Sequence, residues 1–279
     1  MAQKRPTQRQ RDHLARQAAL RARQRKEQRK KLGLVVVTAV LLILGVSAFV
    51  SGGGGGGGGQ DVASTGTTVA GARARPAVLT PPPPGATLTG DTPCPKADGT
   101  SERTTTFAKP PPMCINPART FAAEVTTTKG RFTITLDAKA APNTVNNFVV
   151  LARYKYFEGI PFHRAVPGFV IQGGDPLATG TGGPGYRFND ELPPPNSYKV
   201  GSVAMANSGP NTNGSQFFIV TGDSGAALQP QFSLFGTVTE GMDIVKSIEA
   251  VGSPETPTDP NGGKPTQQVT ISSIMIKEA

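Results

Sequence analysis

Two stretches of the sequence hold the side chains best suited to chemistry. The first, FHRAVPGFVIQGGD (162–175), carries Arg164 among aromatic and aliphatic residues, and the second, SVAMANSGPNTNGSQFFIV (202–220), carries amides and aromatic rings but no charge. Acid–base and nucleophilic catalysis need a titrating base or an activated nucleophile, whereas a guanidinium stays protonated. This combination favours chemistry in which no covalent bond breaks.

Two motifs that mark other enzymes are poorly supported here. The run GTGGPG (180–185) has the glycine spacing of a dinucleotide-binding loop, but a proline interrupts it and an extended segment follows, whereas such loops open a helix. The run GDSG (222–225) resembles the nucleophile loop of a serine protease, which requires a histidine base. His13 lies in the basic N-terminal segment, and His163 is next to Arg164, which lowers its basicity. We therefore expect neither a nucleotide site nor a hydrolase.

The positive charge of the chain is confined to its first 31 residues. The formal net charge is +10, and residues 1–31 hold 12 Lys/Arg against 2 Asp/Glu, which accounts for all of it. Residues 32–50 are a run of 19 without charge or proline, long enough to cross the core of a bilayer as a helix. We predict a basic cytoplasmic tail over 1–31 and a transmembrane helix over 32–50, with the rest of the chain outside the cytoplasm.

A secretory signal peptide is the alternative interpretation of this N-terminal segment. Its apolar region is usually shorter, and no clean Ala-x-Ala cleavage site follows residue 50. Basic residues beside a membrane span usually contact anionic lipid. The membrane is therefore the expected partner of this segment, and nucleic acid is not.

Residues 51–117 are predicted to form a linker. They are rich in Gly, Pro and Thr, include eight consecutive glycines at 52–59, and contain Cys94 and Cys114, the two cysteines of the chain. With almost no large apolar side chains before about residue 90, the segment should be disordered. The simplest interpretation of the cysteines in an oxidising compartment is a disulfide, with free thiols as the alternative; a metal site would need further ligands nearby.

Residues 118–279 are predicted to form one β-rich domain. Phe132, Ile134 and Leu136 alternate with threonines, as in a half-buried strand. Many short strands with Gly and Pro between them, and only two helices, indicate a closed barrel or a sandwich. The further strands are predicted at 169–173, 201–206, 216–221, 232–239 and 269–276, and the helices at 143–154 and 242–251.

The two stretches described first, together with FGTV (235–238) and EGMDIV (240–245), resemble the cyclophilin family of peptidyl-prolyl cis-trans isomerases. The likeness is colinear over roughly 122–276. With its basic tail, span, linker and cysteine pair, the whole chain is similar to the membrane-anchored cyclophilins of actinobacteria. The resemblance implies a mainly β fold, a closed eight-stranded antiparallel barrel capped by two α-helices, with the active groove on its outer face. It implies no metal and no organic cofactor.

Arg164 is the catalytic residue that the resemblance implies, since its guanidinium would donate a hydrogen bond to the nitrogen of a twisted prolyl amide. Gln172 would orient Arg164 and contact the peptide, and Gln216 would border the groove. The backbone of Ala206 and Asn207 would hydrogen-bond the substrate chain. The proline ring would enter an apolar pocket lined by Phe169, Val170, Phe218 and Leu228. Because successive strand residues face opposite sides, only one ring of the pair Phe217 and Phe218 can face the groove.

The sequence departs from the family pattern at three positions of the groove. Phe232 stands where the family usually has His, Val170 where Met is common, and Ala227 (or Ala226) where many members carry a Trp that contacts cyclosporin. The chain contains no Trp, so we expect weak cyclosporin binding. Arg164 is retained, so isomerase activity should survive with an altered substrate preference.

The sequence thus predicts a peptidyl-prolyl isomerase that assists the folding of exported, proline-containing polypeptides. A non-catalytic proline-peptide-binding or holdase module on the same fold is the alternative. The two hypotheses differ in one measurement, because only the isomerase should show cis–trans exchange that depends on Arg164.

Overall fold

The structure, a computed structural model, describes residues 75–254 and 262–279. The predicted basic tail (1–31), the predicted transmembrane helix (32–50) and the first part of the predicted linker lie outside the described residues. Within the described ranges, none of the helices is long and apolar enough to cross a membrane.

Ten strands and three helices make up the described part of the chain. Every strand predicted above is present, as are both predicted helices (α1 and α3), with ends that differ by at most two residues. The prediction missed β1, β2, β3, β5 and the short α2. In chain order the elements are β1 (Ala86–Leu88), β2 (Thr104–Phe107), β3 (Phe121–Thr127), β4 (Gly130–Leu136), α1 (Pro142–Arg153), β5 (Arg164–Val166), β6 (Val170–Gly173), β7 (Ser202–Met205), β8 (Phe217–Val220), α2 (Asp223–Ala226), β9 (Leu234–Glu240), α3 (Met242–Glu249) and β10 (Ile271–Glu278).

In the described residues, eight strands form one antiparallel sheet that curls around the core, in the order β10-β3-β4-β9-β7-β8-β6-β5. The two edge strands, β10 and β5, are not paired with each other, so the barrel is open and the prediction of a closed barrel is wrong. The prediction of a mainly β fold with eight antiparallel strands and helices is confirmed.

Backbone contacts nevertheless bring the two edges of the sheet together next to β5. The N–H groups of Gly159 and Phe162 donate to the carbonyl oxygens of Ile271 (2.7 Å) and Val269 (2.9 Å). Pro161 forms an isolated antiparallel bridge with Thr270, and beside it the N–H of Ile271 donates to the carbonyl oxygen of Ile160 at 2.9 Å. This bridge is not continued into β5, so the two edge strands do not pair along their length.

The core lies inside the curled sheet. Phe132, Ile134 and Leu136 of β4 point into it, which confirms the predicted alternation. Phe148 of α1 is at its centre. The ring centroid of Phe148 lies 5.1 Å from that of Phe157, 5.6 Å from that of Phe217 and 5.2 Å from that of Phe235.

Helix α1 is capped from a distant loop. Ala141, the residue before its first turn, has no side-chain acceptor for the unpaired N–H groups there. Glu191 supplies it: its carboxylate accepts from the N–H of Asn143 at 3.0 Å and from the N–H of Thr144 at 2.8 Å. The loop that contains Glu191 is thereby fastened to the core helix.

The described part of the predicted linker, residues 75–117, is folded onto the domain, so the disorder predicted up to about residue 90 is wrong for the described residues 75–90. Strands β1 and β2 pair in parallel, and Phe107 is 1% exposed within the core. Cys94 and Cys114 form a disulfide, as predicted. The side chain that fixes this segment is an isolated aromatic residue, and no periodic pattern in the sequence revealed it.

Candidate active site

The β5–β6 hairpin places Arg164 and Gln172 side by side. The two residues are directly paired across the antiparallel strands, so their side chains leave the sheet on the same face. Nη1 of Arg164 donates to Oε1 of Gln172 at 3.4 Å. The guanidinium carbon also lies 5.3 Å from the ring centroid of Phe169, within the range of a cation–π contact. These two neighbours in the hairpin orient a guanidinium that is partly exposed at the surface.

The turn of this hairpin is held by α3. Gly168 has a φ of +74°, a conformation that favours glycine, and its N–H donates to Oε1 of Glu249 at 2.7 Å. Nζ of Lys246 donates to Oε2 of the same carboxylate at 2.8 Å. Burial alone would raise the pKa of Glu249, but its hydrogen bonds, with that from Lys246 foremost, outweigh burial, and the net pKa is lowered. An ionised carboxylate thus anchors the turn that carries Phe169, a role that sequence reasoning missed.

A second apolar cluster, here called the outer apolar cluster, lies on the face of β6, β7 and β8 that points away from the core. Phe218 packs in this cluster whereas Phe217 packs in the core, which confirms the predicted division of the pair. The buried members are Val170, Tyr198, Ala204, Phe218 and Val220. The structure brings six predicted site residues into or against the cluster: Phe169, Val170, Ala206, Phe218, Leu228 and Phe232.

Phe232, which stands at the family's usual His position, is fixed by Tyr198. The Tyr198 hydroxyl donates to the carbonyl oxygen of Phe232 at 2.6 Å and accepts from its N–H at 3.1 Å. The ring of Phe232 meets that of Phe218 edge-on, with centroids 5.3 Å apart. Burial raises the pKa of Tyr198, so its hydroxyl stays protonated and able to donate. Tyr198 follows a proline-rich turn, and nothing in its sequence context indicated this role.

A chain of amide hydrogen bonds leads from Arg164 into a neighbouring groove. Nε2 of Gln172 donates to Oε1 of Gln216 at 2.9 Å, and Nε2 of Gln216 donates to the carbonyl oxygen of Gly182 at 2.9 Å. The groove has a volume of about 850 Å³ and is lined by Gln172, Gln216, Ala206, Asn207 and the loop 180–187, among others. The glycine-rich run that mimics a nucleotide loop is therefore a wall of this groove.

At Ala206 and Asn207, some of the groups predicted to contact the peptide are already hydrogen-bonded within the protein. The N–H of Ala206 already donates to the carbonyl oxygen of Gln216 at 2.9 Å, so a bound peptide could use only the carbonyl of Ala206. The side chain of Asn207 donates to the carbonyl oxygen of Gln231 at 2.9 Å, and this bond orders the edge of the groove.

The family's Trp position has no ring here whichever alignment is used. Ala226 packs against the outer apolar cluster, whereas Ala227, which follows α2, is exposed. The outer apolar cluster therefore offers less apolar side-chain surface at this position than it would with a ring.

His163 and Asp175, which come just before β5 and just after β6, are buried and are not part of the outer apolar cluster. Asp175 is fully buried and accepts from the N–H of Leu177 at 2.7 Å and from that of Thr179 at 3.0 Å. Burial lowers the pKa of His163, Asp175 raises it in part, and Arg164 lowers it further. His163 is thus a neutral, buried side chain, which agrees with a structural role. Among the described residues, no group of three His, Cys, Asp or Glu side chains is placed to hold a metal ion.

Comparison with known proteins identifies the family to which this fold and site belong. The family model described as Cyclophilin type peptidyl-prolyl cis-trans isomerase/CLD matches residues 122–276. Peptidyl-prolyl cis-trans isomerase B of Streptomyces anulatus is 39% identical over 173 residues, which cover 56% of this chain and 95% of that relative. Probable peptidyl-prolyl cis-trans isomerase A of Mycobacterium leprae is 42% identical over 170 residues, covering 55% and 91%.

A solved structure shows the same likeness. It is a cyclophilin type peptidyl-prolyl cis-trans isomerase of Cryptosporidium parvum, crystallised in the presence of the dipeptide Ala-Pro. The TM-score is 0.50 at 32% sequence identity, with 56% of this chain and 98% of that chain covered. The chain belongs to the cyclophilin type peptidyl-prolyl cis-trans isomerase family, and the predicted class of enzyme is confirmed.

Proposed function

We propose that this domain accelerates rotation about Xaa-Pro bonds at the outer apolar cluster, with Arg164 as the catalytic residue. The observation that carries the proposal is the position of the guanidinium, which lies over the ring of Phe169 at the edge of the cluster and is oriented by Gln172. A cation next to an apolar surface suits a prolyl peptide, because the proline ring is apolar and the amide that precedes it is polar.

Rotation about a prolyl bond breaks no covalent bond, so catalysis needs only this arrangement of a hydrogen-bond donor next to an apolar pocket. Amide resonance sets a barrier of about 18–20 kcal/mol to rotation. In the transition state the amide is twisted, and its nitrogen becomes pyramidal with a localised lone pair. An N–H of Arg164 directed at that nitrogen stabilises the twisted amide more than the planar one, which is the condition for acceleration. No proton transfer is needed, so a hydrogen-bond donor is sufficient and no general base is required.

The remaining predicted residues have roles in holding the peptide. The proline ring packs against Phe169, Val170, Phe218, Leu228 and Phe232, and the fixed ring of Phe232 extends the apolar wall where a polar contact is usual in the family. Gln172 and Gln216 present amide groups beside this pocket and bind the peptide backbone, together with the carbonyl of Ala206 and the backbone of Asn207.

We also propose that the substrates are exported, proline-containing polypeptides and that the domain works on the outer side of the membrane, tethered by residues 32–50. Two observations support this location. The first is the uncharged run of 19 residues that follows a strongly basic segment. The second is the disulfide between Cys94 and Cys114, because disulfides persist in oxidising compartments.

NMR exchange spectroscopy on a peptide that contains one Ala-Pro bond tests the catalytic proposal. Wild-type protein should produce exchange cross-peaks between cis and trans signals at substoichiometric concentration, and Arg164→Ala should remove most of them. Arg131→Ala, which removes an exposed guanidinium on β4, is the matched control and should behave as wild type. Peptide binding without Arg164-dependent exchange would favour the holdase alternative.

A further inference from the structure

One wall of the groove has no regular secondary structure of its own, and contacts with other parts of the molecule hold it in place. This wall, the loop 180–187, contains neither helix nor strand, and four of its eight residues are glycine. Glycine has more backbone freedom to lose on ordering than any other residue. Contacts from outside the loop therefore decide how well the wall is defined.

Phe107 of β2 makes such contacts. Its N–H donates to the carbonyl oxygen of Pro184 at 2.8 Å, and its ring meets that of Tyr186 edge-on, with centroids 6.2 Å apart. Gly185 has a φ of +107°, and a Cβ there would lie 2.4 Å from the carbonyl oxygen of Phe107. The two backbones are in close contact at Gly185, so Phe107 limits the positions that the loop can take.

Phe107 is itself fastened to the core helix through the segment 94–114, which the disulfide closes. Just before the segment, the hydroxyl of Tyr154, the residue that follows the last residue of α1, donates to the carbonyl oxygen of Pro93 at 2.8 Å. At the other end, the N–H of Cys114 donates to Oδ1 of Asn146 at 2.7 Å. The ring of Phe107 also packs on that of Tyr154, with centroids 5.4 Å apart. The segment therefore forms a short bridge from α1 to the wall of the groove.

The loop is connected in turn to the residues that orient Arg164. Gln216 donates to the carbonyl oxygen of Gly182, and Gln172 donates to Gln216. If the loop shifts, Gln216 loses a fixed acceptor on the wall side of the groove. The outer apolar cluster is built from other strands and does not include Phe107 or the loop.

We propose that Phe107 is a positioning residue for the isomerase groove: held by the disulfide-closed segment 94–114, it fixes the loop 180–187 and thereby sets the affinity for the residues that flank the proline. This inference rests on the proposed isomerase function. The pocket for the proline ring lies outside the loop, and Arg164 keeps its contacts with Gln172 and Phe169 inside the β5–β6 hairpin. Loosening the loop therefore raises KM more than it lowers kcat.

Steady-state kinetics of Phe107→Ala test the proposal. KM should rise about fivefold or more while kcat stays within about twofold of wild type, and Phe107→Leu should recover most of the lost affinity. Phe121→Ala is the matched control, because Phe121 is equally buried, at 2% exposure, but lies in β3 away from the groove. It should lose comparable stability and keep its KM. All variants are compared at a temperature at which circular dichroism shows each to be folded.

A second variant covers the case in which Phe107→Ala does not fold. The double substitution Cys94→Ser, Cys114→Ser leaves Phe107 in place but opens the segment, and it should raise KM in the same direction and speed amide hydrogen exchange at Gly182, Gly183 and Tyr186. If the KM of both variants stays within the range of the Phe121→Ala control, the segment only stabilises the fold and the proposal is overturned.

Peptide affinity separates this proposal from the proposed function. The dissociation constant of the peptide, measured by NMR titration, does not depend on catalysis. It therefore reports on the loop 180–187 even if cis–trans exchange does not depend on Arg164. A weakened affinity in Phe107→Ala with no Arg164-dependent exchange would uphold the positioning role and refute the isomerase. Unchanged peptide affinity in Phe107→Ala, with exchange that still depends on Arg164, would refute the positioning role and uphold the isomerase.

Discussion

The side-chain amides of Gln172 and Gln216 are joined by a hydrogen bond of 2.9 Å, with Nε2 of Gln172 as donor and Oε1 of Gln216 as acceptor. This direction leaves Oε1 of Gln172 facing Arg164, from which it accepts at 3.4 Å. The pair connects the guanidinium on β5 with the groove beyond β8. The hydrogen-bond chain that begins at Arg164 therefore extends to a residue two strands away.

Gln172→Ala should impair catalysis more than binding. Arg164 would lose one of the contacts that orient it, the hydrogen bond to Oε1 of Gln172, and misplacement of a catalytic group by about 1 Å can cost up to roughly a hundredfold in rate. We expect kcat to fall about tenfold or more with KM within about threefold of wild type. A protease-coupled assay over a range of peptide concentrations gives both constants. An unchanged kcat would show that Gln172 does not position the guanidinium.

Glu249→Gln should destabilise the domain at neutral pH by about 1 kcal/mol, because the neutral amide weakens the charge-assisted bond from Lys246. The pKa of Glu249 is lowered in the folded state, so its contribution to stability is present above its unfolded pKa of about 4.5 and is lost as the pH falls through the lower folded value. Urea unfolding of both proteins at pH 7 and at pH 3 measures this. The gap in unfolding free energy should narrow at the lower pH; a gap of the same size at both would contradict the assignment.

Glu191→Ala should remove the cap of α1. Both N–H groups that the carboxylate accepts would lose their partner, at a cost of about 1–2 kcal/mol in unfolding free energy. Glu240→Ala, an exposed carboxylate at the end of β9, is the control and should change stability by less than about 0.5 kcal/mol. Thermal or urea unfolding compares the two. Equal effects would mean that the cap contributes nothing beyond a surface charge.

Ala227→Trp should increase cyclosporin affinity. Ala227 is exposed next to the outer apolar cluster, where an indole ring would add apolar area for the ligand to cover. We expect weak binding to wild type and a gain of about tenfold or more in the variant, measured by calorimetric titration. Met275→Trp, on the exposed face of β10, controls for a nonspecific gain. An affinity no greater than that of this control would refute the role given to the missing ring.

The elements predicted correctly from the sequence are those with a local pattern. The alternation in β4 and the apolar faces of α1 and α3 are each visible in a short stretch of sequence. The pleat of a strand places Phe217 and Phe218 on opposite faces, and the structure has Phe217 in the core and Phe218 in the outer apolar cluster. Arg164 and its partners were identified through the family resemblance, which carries long-range information that periodicity lacks. In β3, as in β4, buried residues alternate with more exposed ones, so its period-two pattern also indicates a strand.

The features that were missed depend on contacts between distant residues. The edge strands β5 and β10 do not pair with each other, and the edges meet through an isolated bridge between Pro161 and Thr270 next to β5, which no single segment reveals. The folded segment before residue 118 has little apolar sequence of its own, and it is ordered by Phe107, by the disulfide and by tyrosines more than forty residues away. Glu191 and Glu249 act on backbone groups of other elements, and an isolated carboxylate in a sequence gives no sign of such a role.

The central claim is that the guanidinium of Arg164 lowers the barrier to rotation, and kcat/KM for a single Xaa-Pro peptide tests it most directly. Arg164→Ala should lower kcat/KM by about a hundredfold or more, while Arg131→Ala stays at the wild-type value and both variants unfold at the wild-type urea midpoint. A folded Arg164→Ala protein that retains wild-type kcat/KM would contradict the account.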